Sequence, residues 1–461
     1  MRFLTLLTLL LLISCSSVSS ERISNKQIIY FSVAGGKVQV MGKTYSSWPI
    51  KSLNSMLEQN TVATLLPGHY KEKIEINAKG TKDQPILINA FNKDVLIDGY
   101  QDPKADGGYC IQLSSSSWIT LDGFKIRNCW PTVIRLKSSS YINIRNFNIE
   151  GARYVVEAQG NDNEYLTIEN NYWNQDPTEK LWKKHEWAEA HHGKLEYFNG
   201  SILHSEAIND VLIKSNIIKN AYNGVRMEGG VNDIYSRNTN VEIVDNLFEN
   251  IRDNPIEPEH SAYNWWIHHN KIHNAHAWIS LTGITGGHIY IFGNIGWNDE
   301  PYGKKGDHSG GTVLKFNETG PFPTMPIYIF HNSWHSQGNY LLPNNPSRNI
   351  IHFNNAIFLQ EKDAVTLTKN NFHESFQFEN DLINRPLSDF AKSKWKNYII
   401  SDPEFTNVLT GDFTLKKGSP AIDSGKVIQL ENWKSSYSGK APDIGAYEGK
   451  EEFKGPKYFR R

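Results

Sequence analysis

The chain has 461 residues, with 48 Lys and Arg against 49 Asp and Glu and a formal net charge of −1. So even a balance leaves no electrostatic case for nucleic acid as a partner. Thirteen Trp, 21 Tyr and 21 Phe make it rich in rings of the kind that stack on the apolar faces of pyranose sugars.

The first element is an export signal. Arg2 precedes an apolar, threonine-containing stretch over Phe3–Ile13 that runs into Ser14 and Cys15. A stretch this short is a secretory signal and not a membrane span. Leu12-Ile13-Ser14-Cys15 resembles the bacterial lipobox, which implies lipidation of Cys15 within a signal and tether over residues 1–20. The acyl chains would anchor the protein stably at a membrane of the bacterial cell envelope, facing the periplasm or the outside. Ordinary cleavage near Ser20, with a soluble product, is the alternative.

From Ile119 onward one unit of about 22–24 residues keeps returning, a β-rich run, an Asn-containing turn and a second β-rich run. Copies include ITLDGFKIRN (Ile119–Asn128), VLIKSNIIKN (Val211–Asn220), VEIVDNLFEN (Val241–Asn250), WWIHHNKIHN (Trp265–Asn274) and IYIFHNSWHS (Ile327–Ser336). One such unit cannot bury its apolar face alone and must stack on its neighbours; without helical patterns between copies, the array is a parallel β-helix. The predicted fold class is all-β, a single solenoid over residues 21–461 with loop insertions over one face, acting as a monomer.

Aligned on I-x-x-N, the copies stack Asn171, Asn216, Asn246, Asn270, Asn294, Asn332 and Asn355, with Phe124 and Phe147 in the same slot earlier. Piled amides donate and accept along the column and satisfy buried turn groups, so this ladder is structural. A narrow core favours smaller side chains, which leaves many of the aromatics expected at the surface. The repeat places residue 133, not Cys129, above Cys110, so the two cysteines fall out of column and no disulfide is expected.

Insertions at about 173–207 and 296–311 interrupt the rungs with EKLWKKHEWAEAHHGKLEY (Glu179–Tyr197) and NDEPYGKKGDHSGG (Asn298–Gly311). Insertions on solenoids emerge on one face, often the binding face. Trp182, Lys183 and Lys184 are the substrate-binding candidates there; a solvated helix or a flexible loop is the alternative. Asn370–Tyr398 departs from the pattern and is expected to pack alongside the coil, ahead of a closing segment at 401–448.

The β-run that follows the Asn column carries the chemistry, in copies such as VRMEG (Val225–Gly229), IEPEH (Ile256–His260), ISLTG (Ile279–Gly283) and LKFNE (Leu314–Glu318). Period-two alternation turns Val225, Met227, Ile256, Pro258, Ile279, Leu281, Leu314 and Phe316 inward. One outward column then reads Arg135, Glu157, Arg226, Glu257, Ser280, Lys315. Its neighbour reads Lys137, Gln159, Glu228, Glu259, Thr282, Asn317, joined by His204 if Ser201–Ser205 is an extra strand.

With rungs ~4.8 Å apart, Arg226, Glu228, Glu257 and Glu259 form a compact quartet near His204 and His260. Three carboxylates at that range repel, and at least one should hold its proton more tightly unless a cation intervenes. Arg226 supplies one positive charge; calcium bound by Glu228, Glu257 and Glu259 is the candidate for the rest. A surface ladder of cross-strand Arg–Glu pairs is the plainer alternative. His268, His269, His273 and His276 point in different directions in a strand–turn context, and no zinc site is expected.

The ends of the coil add a family resemblance. TVATLLPGHYKEKIEINAKGTKDQPILINAFNKDVLIDG (Thr61–Gly99), with its apolar-Pro-Gly-x-Tyr and Val-x-Ile-Asp-Gly patterns, resembles the first rungs of right-handed parallel β-helix polysaccharide lyases, notably the chondroitinase B and alginate lyase group. SDPEF (Ser401–Phe405), GDFTLKKGSPAIDSG (Gly411–Gly425) and PDIGAYE (Pro442–Glu448) resemble the closing segment of bacterial β-helix proteins. The resemblance implies a right-handed coil and a carbon–oxygen lyase acting on an acidic, uronate-containing poly- or oligosaccharide. Such an enzyme removes the C5 proton and eliminates at C4, expelling a glycosidic oxygen or water.

In that group a Glu-x-Glu rung helps bind calcium, and Glu257-Pro258-Glu259 matches it. The group's Lys shortly after, and its Arg one rung later, have no counterpart in Ser261–Asn264 or Ile279–Thr282. The catalytic candidates are therefore Arg226, to neutralise the uronate carboxylate, and His204 and His260, to move the proton, with Lys315 as a further substrate-binding residue. A glycoside hydrolase using paired Glu residues, or a non-catalytic glycan-binding surface lipoprotein, remains as an alternative.

Overall fold

The computed structural model describes residues 26–458 apart from 100–101, 105–107, 229–236, 300–310, 317–322, 344–347, 361–372 and 431–432. Cys15, Asn317 and most of the second insertion lie outside the described residues.

Apolar residues at alternate positions of each β-run meet the same positions one coil later. Leu166, Val211, Val241, Trp265, Ile289 and Ile327 pair in register from rung to rung, and all are buried. Burying each such Val, Leu or Ile contributes about 1.5–3 kcal/mol. The result is a parallel β-helix with one face of sixteen strands, one of thirteen, and a third divided into two sheets of five. Antiparallel pairing is seen at the ends, in the hairpin Gly36–Val40 with Lys43–Pro49 and in the closing segment.

The asparagine column behaves as a ladder. Asn246 donates from its backbone N (3.1 Å) and Nδ2 (3.0 Å) to Asn270 Oδ1, and Nδ2 also donates to Ile213 O at 2.8 Å. The same pattern runs from Asn171 to Asn355. It ends on Asp381, whose Oδ1 accepts from Asn355 N at 2.7 Å and Nδ2 at 3.0 Å.

Three expectations need correction. Large aromatics are inside: Trp173, Trp265, Trp278, Trp334 and Trp395 are fully buried, because a rung has room for one indole where its neighbours carry smaller groups. Cys110 and Cys129 form a disulfide, with Cα atoms 5.6 Å apart. The register is as expected, with Ile134 over Ile111, but Cys129 lies in the turn before that strand and is not bound by the column. Finally, the described part of Asn370–Tyr398 continues the coil, as Gln377–Glu379 and Leu382–Ile383 extend two of the faces.

The closing segment folds back along the outside of the coil. Phe405, Phe413 and Ile444 pack on Ile295, Trp297 and Leu382. Gly445, at φ 119°, brings the chain so close that an added Cβ would meet Ser333 Oγ at 2.7 Å.

Candidate active site

The site lies on the divided face. Its strands are β1 (Leu203–Ser205), β2 (Val225–Glu228), β3 (Ile256–Glu259), β4 (Ala277–Ser280) and β5 (Thr312–Phe316). The division falls between β1 and β2, which are joined by Ile202 N donating to Gly224 O at 2.8 Å. Just before β1 the first insertion folds as two short helices, α1 (Lys180–Lys184) and α2 (Trp187–His191).

Alternation places Val225, Met227, Ile256, Ile279, Leu281 and Leu314 in the core, and the opposite positions carry the polar columns. Arg226 stands in register with Glu257, and Glu228 with Glu259. Arg226 pairs with Glu228 and places Nε 3.5 Å from both Glu257 Oε2 and Glu259 Oε2. Its Nη1 donates to Asn199 Oδ1 at 3.2 Å. Glu257, only 4% exposed, accepts from Asn254 Nδ2 at 3.1 Å and lies 4.0 Å from Lys315 Nζ.

Burial sets the proton affinities here. It pushes Glu257 up, with the charge of Asp253 adding and Lys315, Arg226 and a bond from Ser280 opposing. Glu259 is pushed up to about 8 by burial and then by the neighbouring Glu257, against Arg226 and Lys315. The Glu257 and Glu259 carboxyls bond each other, which requires a proton between them. Glu259 therefore keeps its proton at neutral pH.

The donor set does not fit a resident calcium ion. Calcium needs several oxygens turned to one point, whereas the oxygens of Glu228, Glu257 and Glu259 are turned to the Arg226 guanidinium. Among the described residues no group of three or more His, Cys, Asp or Glu has the geometry to hold a metal.

His204 is in register with Glu157, which places it in the Arg226 column and not, as expected, beside Glu228. Its ring stacks on Tyr154 with centroids 4.6 Å apart. Burial pushes it down to about 4, with Glu157 opposing and Arg226 and Arg153 adding, so it is neutral at neutral pH. His260 leaves its strand with φ 50°, its Nδ1 3.0 Å from where a Cβ on Gly283 would sit, and the quartet does not include it. Trp182 is 4% exposed and offers no open ring face to a sugar. Lys183 pairs with Glu179, the residue before α1, and Lys184 is exposed.

The sequence did not point to what α2 brings. Trp187 stacks on His191 at 4.2 Å, and the His191 ring lies 6.5 Å from that of the fully buried Tyr222. Trp187 Nε1, His191 Nδ1 and Tyr222 Oη are buried without hydrogen-bond partners. His191 feels the charges of Asp253, Arg226 and Lys315, and burial lowers its proton affinity.

A family model described as right handed beta helix region matches residues 109–294. No curated protein matches the sequence. Among solved structures, the pectate lyase Pel9A is similar over 93% of this chain and 98% of its own, at 15% identity and TM-score 0.50. A PL6 alginate lyase in complex with a trisaccharide follows at 12% identity, 93% and 96% coverage and TM-score 0.47. A GH136 lacto-N-biosidase from Eubacterium ramulus has 10% identity, 82% and 66% coverage and TM-score 0.47. At these identities the likeness is one of fold, the right-handed parallel β-helix shared with a pectate lyase.

Proposed function

We propose that the protein is a carbohydrate-active carbon–oxygen lyase that eliminates across C4 and C5 of a uronate unit in an acidic poly- or oligosaccharide. The observation that carries this reading is the flanking of a buried carboxyl pair, Glu257 and the protonated Glu259, by the two cations Arg226 and Lys315. Arg226 and Lys315 hold the uronate carboxylate and stabilise the negative charge that develops on it when C5 loses its proton. Neutral His204 takes that proton. Its basicity rises as the bound carboxylate offsets the Arg226 charge that opposes an imidazolium. The C5 electron pair becomes the C4–C5 double bond, the C4–O bond breaks, and Glu259 delivers its proton to the departing oxygen. That oxygen leaves as a sugar hydroxyl in a polysaccharide lyase or as water in an oligosaccharide dehydratase.

The carboxyl pair argues against a glycoside hydrolase that works through Glu257 and Glu259. Hydrolysis needs two carboxyls about 5–5.5 Å or about 6.5–9.5 Å apart with the sugar between them, and these two bond each other. The lipobox at Cys15 supports a lipid-anchored protein of the cell envelope, and the Cys110–Cys129 disulfide suits an oxidising compartment. Mass balance of the products tests the reaction class. Fragments summing to the substrate mass mark a lyase, loss of one water without cleavage marks a dehydratase, and gain of water on cleavage sinks both.

A further inference from the structure

A cavity of about 570 Å³ opens on the rungs next to the quartet. Its floor is the outward column of Arg135, Glu157 and His204, successive rungs of one parallel sheet. One wall is the loop Pro103–Lys104; the other is the insertion from Gly193 to Tyr197, next to Pro131. The walls are fixed from behind. Trp130 packs edge-on against Tyr197 at 5.9 Å and Phe198 at 5.7 Å, and its neighbour Cys129 is tied to Cys110.

The charge around this cavity is lopsided. Four cations, Lys104, Arg135, Arg153 and Lys194, line it against two carboxylates, Glu157 and Glu196. Arg135 is matched to Glu157 at 3.0 Å and Lys194 to Glu189 at 2.8 Å. Arg153 is held differently. Its Nε donates to Asn199 O at 2.7 Å and its guanidinium lies over the Tyr154 ring at 5.1 Å, and among the described residues it makes no ion pair. A half-buried guanidinium, oriented by a backbone carbonyl and an aromatic face but with no anion paired to it among the described residues, suits a carboxylate ligand bound through its planar donor fork.

We propose that this cavity binds a second uronate unit of the same glycan chain, with Arg153 on its carboxylate and Lys104 as the outer cation. This rests on the lyase reading for the unit at Arg226, whose strand lies next to the His204 rung that ends the cavity floor. The protein would then recognise two acidic units in sequence, and neutral or singly charged sugars would occupy only part of the site.

Calorimetry with galacturonate and mannuronate trisaccharides, their carboxyl-reduced neutral forms, and the two free monouronates tests this. For the trisaccharide that wild type binds more tightly, Arg153→Gln should weaken binding about 10-fold or more. Arg153→Lys should lose less, and monouronate binding should not change. Matching melting temperatures of the variants exclude a folding defect. Equal trisaccharide affinity in wild type and Arg153→Gln, equal losses for the monouronates, neutral forms that bind as well as acidic ones, or no binding of either trisaccharide would each overturn the proposal. All the proteins compared carry Glu259→Gln in the calorimetry, so that binding is read without turnover. Arg153-dependent binding without elimination therefore removes the lyase reading alone, and elimination indifferent to Arg153 removes the second site alone.

Discussion

Arg226 Nε lies 3.5 Å from Glu259 Oε2, so the one arginine of the quartet is committed to a carboxyl group that holds its proton up to about pH 8. The two states of that proton separate what the site can do chemically from what it costs the fold.

Activity should follow a bell-shaped pH profile. Elimination needs His204 neutral, above about 4, and Glu259 protonated, below about 8. The rate of kcat/KM should fall on both sides, and Glu259→Gln should remove the alkaline limb along with most of the activity. A flat profile through pH 9 contradicts the assignment.

Stability should decline above neutrality. Glu259 is raised from 4.5 to about 8, so the folded state holds more protons across that window and each step up in pH favours unfolding. His204 is lowered from 6.5 to about 4 and acts oppositely, adding stability as pH rises between those values. The two oppose each other below 6.5; between 6.5 and 8 the carboxyl pair acts without His204. Thermal midpoints should therefore drop over that interval in wild type and not in Glu259→Gln.

Removing the guanidinium should destabilise and change the ion response. Arg226→Met leaves buried carboxylates unpaired and should cost about 3–5 kcal/mol in denaturant unfolding, with activity down at least about 100-fold. Calcium should raise the melting temperature of this variant and leave that of wild type unchanged, and chelator should not lower wild-type activity. Wild-type loss of activity on chelation would show that Arg226 yields its place to a metal.

The end of the asparagine ladder should be a point of fragility. Asp381 accepts from Asn355 N and Nδ2, from His352 Nδ1 at 2.8 Å and from Trp395 Nε1 at 2.7 Å. An amide offers half that acceptor capacity and turns two donors on the rest. Asp381→Asn should cost about 2–5 kcal/mol, read by denaturant unfolding; a loss under half a kcal/mol would contradict the count.

Cys15→Ala should release the protein from the membrane fraction and abolish labelling by a palmitate analogue. Retention in membranes would remove the lipid anchor from the account.

Most of the coil was legible because period-two patterning and the Asn column each repeat along the chain. The inward and outward sides of Val225–Glu228 and Ile256–Glu259 followed from alternation alone. The quartet followed from register. The position of Arg226 inside the quartet did not, because side-chain direction within a column depends on neighbours such as Asn199 that come from the insertion. Tyr222, His191 and Trp187 were missed for the same reason, since α2 has no repeat to place it against the rungs. Cys129 was misjudged because a turn residue escapes the column rule, and the buried tryptophans because packing volume is shared between adjacent rungs and not fixed within one.

The most direct test is ultraviolet absorbance of the conjugated unsaturated uronate during incubation with alginate, pectate and chondroitin and their oligosaccharides, comparing wild type with Arg226→Met. Wild type should give a rise with at least one acidic glycan and the variant none. New reducing ends without that absorbance, or a rise that survives the loss of Arg226, would contradict it.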